Sequence, residues 1–275
     1  MLHYDGVISR TKTNIMIALI IGLSAVLFYL ASAWTQNRTP AQQASKRAYA
    51  LSLVAWLLQG LHLYLGLFTE VGLLLDLGAT LSLTTWAVIG VILISSLRNP
   101  VANLLIFAAP ATAAAIVIDI LSVPAFQGRQ FSLGILVHIF TSILAYALFA
   151  VAACQAVLLI YQNRHLKHHQ SSRLVTSLPP LQTMESLLFE VLATGQILLS
   201  VALMTGFLFL DDLWAQHVAH KTILSLVAWF IFTILLYGHY RLGWRGRTAI
   251  RWTLWGFGNL ALAFFGTKMV LELLL

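Results

Sequence analysis

Apolar residues run through this chain in eight long stretches, separated by short breaks where prolines and charged side chains collect. The stretches cover 15–33, 48–68, 71–97, 101–122, 133–161, 187–210, 221–240 and 250–274. A helix needs about 20 mainly apolar residues to cross the hydrocarbon of a bilayer, and each stretch supplies that length once tilt is allowed. The pattern predicts an all-α polytopic membrane bundle of about eight transmembrane helices, forming a single transmembrane domain over 1–275. The stretch 133–161 is long enough to extend past the membrane. The longest connection is about 162–186, with Pro179-Pro180 just before a helix start. The first stretch ends in Ala31-Ser32-Ala33, which resembles a signal-peptide cleavage site. Its apolar core exceeds the ~7–15 residues usual for a signal peptide, so it reads as a retained span.

Composition agrees. The 275 residues are 60% hydrophobic and 9% charged, against roughly 25% charged in soluble domains. The net charge of +7 gives no reason to expect a nucleic-acid partner, because basic residues in such a chain set orientation. The breaks after the first, third, fifth and seventh stretches hold Arg38, Lys46, Arg47, Arg98, Arg164, Lys167, Arg173, Arg241, Arg245, Arg247 and Arg251. That face is predicted to be cytoplasmic, with both termini outside. Cys154 stands alone, so no internal disulfide is available, and its place in an apolar run predicts a buried, inert thiol. There is no C-x-x-C-H haem-attachment motif, no Walker or dinucleotide glycine pattern and no H-E-x-x-H.

Ionisable groups inside hydrocarbon are costly and mark function or partnership. Counted along a helix, His62 lies roughly 9 Å from the outer end of its stretch and His138 roughly 8 Å from the outer end of its own. Asp76 falls near the same level, and Asp119 lies closer to the outer surface. Two readings fit this layer. The four groups hydrogen-bond one another across helices, or the histidines are axial ligands of a haem iron with a carboxylate behind the imidazole. His239, at the cytoplasmic end of the seventh stretch, is either solvated or a second haem contact. His217 and His220 form an H-x-x-H in an outer loop, a pair that is short of a metal site and reads as solvated. Trp34, Trp214, Trp244 and Trp252 sit near stretch ends, as interfacial belts do. Trp56, Trp86 and Trp229 lie deeper, where they pack in the core or flank a flat macrocycle.

These residues carry a resemblance. The run His138-Ile139-Phe140-Thr141-Ser142-Ile143-Leu144-Ala145-Tyr146-Ala147-Leu148 resembles the histidine-led helix of the CcsA/CcmC-type cytochrome c assembly family. Leu178-Pro179-Pro180-Leu181-Gln182-Thr183-Met184-Glu185, with Gly195 and Thr205-Gly206, is similar to that family's next helix. Gly238-His239-Tyr240-Arg241-Leu242-Gly243-Trp244-Arg245-Gly246-Arg247 resembles its histidine-then-Gly-Trp-Arg-Gly loop. The likeness covers about 45–270 and is greatest to a small YpjD-like branch of bacterial inner-membrane proteins. It implies a non-enzymatic, multi-pass protein of the bacterial inner (cytoplasmic) membrane that binds haem b and assists cytochrome c assembly. His138 becomes a candidate axial ligand of the iron, and His62 or His217 is left to take the place of the second, with matched depth favouring His62. His239 and Trp214 become further haem contacts. The implied partners are membrane lipid, haem, and an apocytochrome or a second membrane subunit.

The chain departs from the family in two places. The W-G-x-x-W-x-W-D loop expected at about 208–222 keeps only Trp214, and no histidine follows the last stretch. Two alternatives therefore stay open. One is an accessory or regulatory membrane subunit that kept the fold and lost haem delivery. The other is a small solute or ion transporter using Asp76, Asp119 and the histidines.

Overall fold

A computed structural model describes residues 2–38, 45–69, 72–97, 102–122, 130–167, 180–209 and 216–266. Among them are eight α-helices: α1 (Leu2–Arg38), α2 (Lys46–Leu67), α3 (Leu77–Ser96), α4 (Leu105–Leu121), α5 (Leu133–Lys167), α6 (Leu181–Phe209), α7 (Gln216–Leu242) and α8 (Arg247–Ala261). Each expected stretch corresponds to one of them. Six contain segments long and apolar enough to cross a membrane: Met16–Arg38, Lys46–Leu67, Leu77–Ser96, Leu133–His165, Leu181–Phe209 and His220–Leu242. The fourth stretch is shorter as a helix than expected, and the eighth is described only as far as Gly266. α4 is an apolar helix of 17 residues containing Pro110, which has no N–H to give the preceding turn. α8 has 15 residues, is amphipathic, and continues as a π-helical turn over Leu262–Gly266.

The third stretch also begins later than its hydropathy suggests. Its first residues form a short antiparallel ribbon, β1 (Phe68–Thr69) against β2 (Gly72–Leu73), with Phe68 opposite Leu73. α3 then starts at Leu77 because Asp76 caps it: the carboxylate accepts the Ala79 N–H at 2.7 Å. Asp76 is thus a helix cap and not a mid-span charge. Cys154, expected to be buried, lies on an exposed face of α5.

The helices group into two compact units, Met1–Thr39 with Ala44–Phe131, and Ser132–Leu275 with Pro40–Gln43. In the first, α1 packs on α2 and α4, and α3 on α4. Polar side chains join these helices. Tyr29, fully buried, donates to Gln59 Oε1 at 2.8 Å, and Gln59 Nε2 donates to the Ser82 carbonyl at 3.0 Å. Ser32 and Ser52 share a 2.6 Å hydroxyl contact. In hydrocarbon such groups have no water to turn to, so small hydroxyls and amides hold neighbouring helices together. The aliphatic Met16, Ile20, Leu23, Leu27 and Leu30 of α1 remain exposed, as lipid-facing residues do.

In the second unit α5 lies against α6 and α8, and α7 against α8. Small residues at the buried face of α5 (Ala145, Ala152, Ala156) let its neighbours approach closely. Phe149 stacks on Phe232 with centroids 3.9 Å apart. Gly195 and Gly256 provide the space for those two rings.

Candidate functional site

The two intramembrane histidines occupy different units and different environments. His62, on α2, is buried, with 8% exposure. Its Nδ1 lies 2.8 Å from the Ala18 carbonyl of α1, and its Nε2 lies 3.2 Å from Asp119 Oδ2 of α4. Gly22 of α1 makes room for the ring: a Cβ there would come within 2.9 Å of Nδ1. The Ala18 carbonyl can only accept, so Nδ1 carries a proton. The opposite side is then an imidazolium against a carboxylate, or a neutral imidazole accepting from a carboxylic acid. Both forms hold the same number of protons and no net charge, which is the condition for keeping such a pair in a greasy layer. The contact is of ion-pair length. Hydrogen bonding across helices, one of the two readings of the polar layer, accounts for both ring nitrogens of His62.

His138, half-buried on α5, is held from one side only. Its Nδ1–H donates to the Ala202 carbonyl of α6 at 2.7 Å. Gly206, one turn further along α6, lies flat against the imidazole: a Cβ there would sit 3.0 Å from Cε1 and 3.2 Å from Nδ1. No described residue is hydrogen-bonded to Nε2. Donation from Nδ1 fixes the tautomer and leaves Nε2 as the bare lone pair. That is the arrangement of a metal-ligating histidine, whose other nitrogen is tied to a carbonyl or carboxylate.

His239 repeats the arrangement at the end of α7. Its Nδ1–H donates to the Trp244 carbonyl at 2.9 Å, and Nε2 has no hydrogen-bond partner among the described residues. Phe189 of α6 stacks on the ring at 3.4 Å. The loop that presents Trp244 needs glycines: Gly243 and Gly246 have φ of +67° and +56°. Gly238 leaves space for the Trp244 ring, and the Glu185 carboxylate accepts the Gly246 N–H. α6 thus meets His138 through Ala202 and His239 through Phe189, positions about 20 Å apart along the helix axis. Two nitrogens on one metal lie at most about 4 Å apart, since each bond is about 2 Å. His138 and His239 therefore belong to two separate places.

The deeper tryptophans pack on protein. Trp56 stacks on Trp86, and Trp229 donates its indole N–H to Ser200 Oγ at 2.8 Å. Trp214 lies outside the described residues. His217 falls in the first turn of α7, and His220 is exposed there. No group of three or more metal-ligating side chains occurs among the described residues. Sequence reasoning missed the carbonyls of Ala18, Ala202 and Trp244, which carry no side-chain signature. It also missed the contact roles of Gly22 and Gly206.

Fold and site together define a polytopic helical membrane protein with imidazoles fixed by backbone carbonyls. Over residues 44–275 the chain matches the family described as Cytochrome C assembly protein, and it belongs to that family. The inner membrane protein YpjD of Escherichia coli is 36% identical over 141 residues, 51% of this chain and 53% of that protein. An uncharacterized 28.8 kDa protein of Azospirillum brasilense, encoded in a nifR3-like 5′ region, is 32% identical over 154 residues, 55% of this chain and 57% of that one. The chain spans about half the length of these curated relatives. No solved structure matches it.

Proposed function

We propose that this protein handles haem for cytochrome c assembly in the bacterial inner membrane, with no catalytic chemistry of its own. The observation that carries the proposal is His138: one nitrogen tied to the Ala202 carbonyl, the other left bare beside Gly206. Family membership supplies the context. The residues fit haem b, since one oriented imidazole and a glycine-smoothed wall suit a flat iron macrocycle. His138 would hold the iron through Nε2, and His239 would mark a second contact nearer the cytoplasmic face. When bound, haem supplies the vinyl groups and iron that the assembly reaction uses; the protein supplies ligation, orientation and exclusion of water. His62 would be free to ligate only by releasing Asp119 from Nε2. Trp214 is the remaining tryptophan of the outer loop and is proposed as a haem contact there. Basic residues concentrated in alternate connections support a topology with both termini outside. Haem, lipid and an apocytochrome or second membrane subunit are the proposed partners.

A second reading has specific support. The outer loop keeps one tryptophan, and both nitrogens of His62 are already bonded. Both features suit an accessory subunit that has lost haem delivery. The transporter reading draws less support, because Asp76 caps α3 and Asp119 faces His62.

A strain lacking this protein separates the two main readings. Covalent haem on its c-type cytochromes, read by haem-peroxidase staining, should fall and return with the wild-type gene but not with His138→Ala. Full staining in the deletion strain would overturn the assembly role. Full rescue by His138→Ala would favour the accessory subunit.

A further inference from the structure

At the end of α5, where its membrane-length segment closes, Arg164 meets Arg247 and Arg251 of α8 around a cavity of about 310 Å³. Asn163, Ile160 and Ile250 complete the lining. Arg247 and Arg251 are four residues apart on one helix and so share a face. All three arginines are exposed, and none has a carboxylate partner among the described residues. Glu185 reaches the Gly246 backbone N–H just before α8 and not a guanidinium. Three like charges on one cavity repel, and no carboxylate pairs with them among the described residues.

An anion resolves that repulsion. Guanidinium forks match tetrahedral phosphate oxygens in bidentate fashion, and the Asn163 amide adds a further donor. Below the cationic rim, Ile160 and buried Ile250 give the cavity an apolar floor. The positive end of α8 lies at Arg247 and adds to the field. A basic pocket between helices at a membrane face is the kind of place that takes an anionic headgroup. We propose that this cavity binds a phosphate-bearing anion, with the phosphate on Arg164, Arg247 and Arg251. The chemistry is shared by an anionic phospholipid headgroup and a soluble phosphate compound. The site is independent of any haem role.

The test uses the full chain in nanodiscs and reads thermal unfolding. One arm replaces phosphatidylcholine stepwise with phosphatidylglycerol; the other keeps phosphatidylcholine and adds inorganic pyrophosphate. The wild type should gain several degrees in at least one arm, and that arm identifies the source. Arg247→Gln/Arg251→Gln should need about tenfold more ligand for the same gain, about 1.4 kcal/mol. Lys46→Gln/Arg47→Gln removes the same formal charge from exposed positions on α2 and should respond as the wild type does. If the glutamine variant does not fold, Arg247→Lys/Arg251→Lys keeps the charge, loses the forks and should give a weaker response. No gain in either arm overturns the site. So does an undiminished response in the arginine variants, or an equal loss in the Lys46/Arg47 variant.

Discussion

Trp56 and Trp86 stack nearly parallel, 4.7 Å between ring centroids, and each indole N–H donates to the other residue's backbone carbonyl at 3.0 and 2.9 Å. Each ring also covers a glycine of the opposite helix: Trp86 lies against Gly60, and Trp56 against Gly90. The pattern Trp-x-x-x-Gly occurs in both α2 and α3, so the two helices clasp each other reciprocally. A Cβ at Gly60 or Gly90 would approach the facing indole nitrogen to 3.1 Å. We expect Gly90→Val to cost about 1–3 kcal/mol through overpacking. Trp56→Phe should cost about 1 kcal/mol for the lost hydrogen bond, beyond its change in area. Thermal unfolding in detergent checks both, and an unshifted midpoint for Gly90→Val would contradict the clasp.

The His62–Asp119 contact joins α2 to α4, while Ala18 brings in α1. Removing one partner strands the other in a dry layer. Asp119→Ala is expected to destabilise by about 1–3 kcal/mol, the cost of an unsatisfied buried polar group. The double variant His62→Phe/Asp119→Leu should lose less than the sum of the singles, because neither residue is then left alone. Additive losses in a denaturation cycle would show that the pair does not act as a unit.

Gly206 gives His138 its flat neighbour, whereas Gly258 has nothing within 4 Å of its would-be Cβ. Gly206→Val should therefore displace the imidazole and lower haem content several-fold, with Gly258→Ala as a silent control. Equal haem content in the two variants would argue against His138 as the ligand.

The loop behind His239 depends on Gly246, whose φ of +56° and ψ of −125° a side chain resists. Gly246→Ala should cost about 1–3 kcal/mol of strain. It should also loosen the Trp244 carbonyl that holds His239. Thermal unfolding reads the first effect, and hydrogen exchange at the α7–α8 connection reads the second.

Much of this was visible in the chain itself. Eight apolar stretches became eight helices because a helix satisfies its backbone groups within its own segment, as lipid demands. Counting depth brought His62 and Asp119 to one layer of the membrane, and they meet. Asp76 was misplaced because Leu73, Leu74 and Leu75 extend the apolar run through a ribbon and a cap, and hydropathy cannot see where a helix starts. The partner of each imidazole's Nδ1 was invisible for a different reason. A backbone carbonyl belongs to every residue, so Ala18, Ala202 and Trp244 become recognisable only once helices are packed. The family resemblance had already singled out Thr205-Gly206, but its physical role, space for the His138 ring, required the fold.

The central claim concerns the bare Nε2 of His138, and an absorption spectrum tests it most directly. The full chain, produced with excess haem and purified in detergent, should show a Soret band and reduced-state visible bands that His138→Ala removes or shifts, while the variant still unfolds cooperatively. A wild-type protein with no Soret band, or a His138→Ala spectrum identical to wild type, would contradict it.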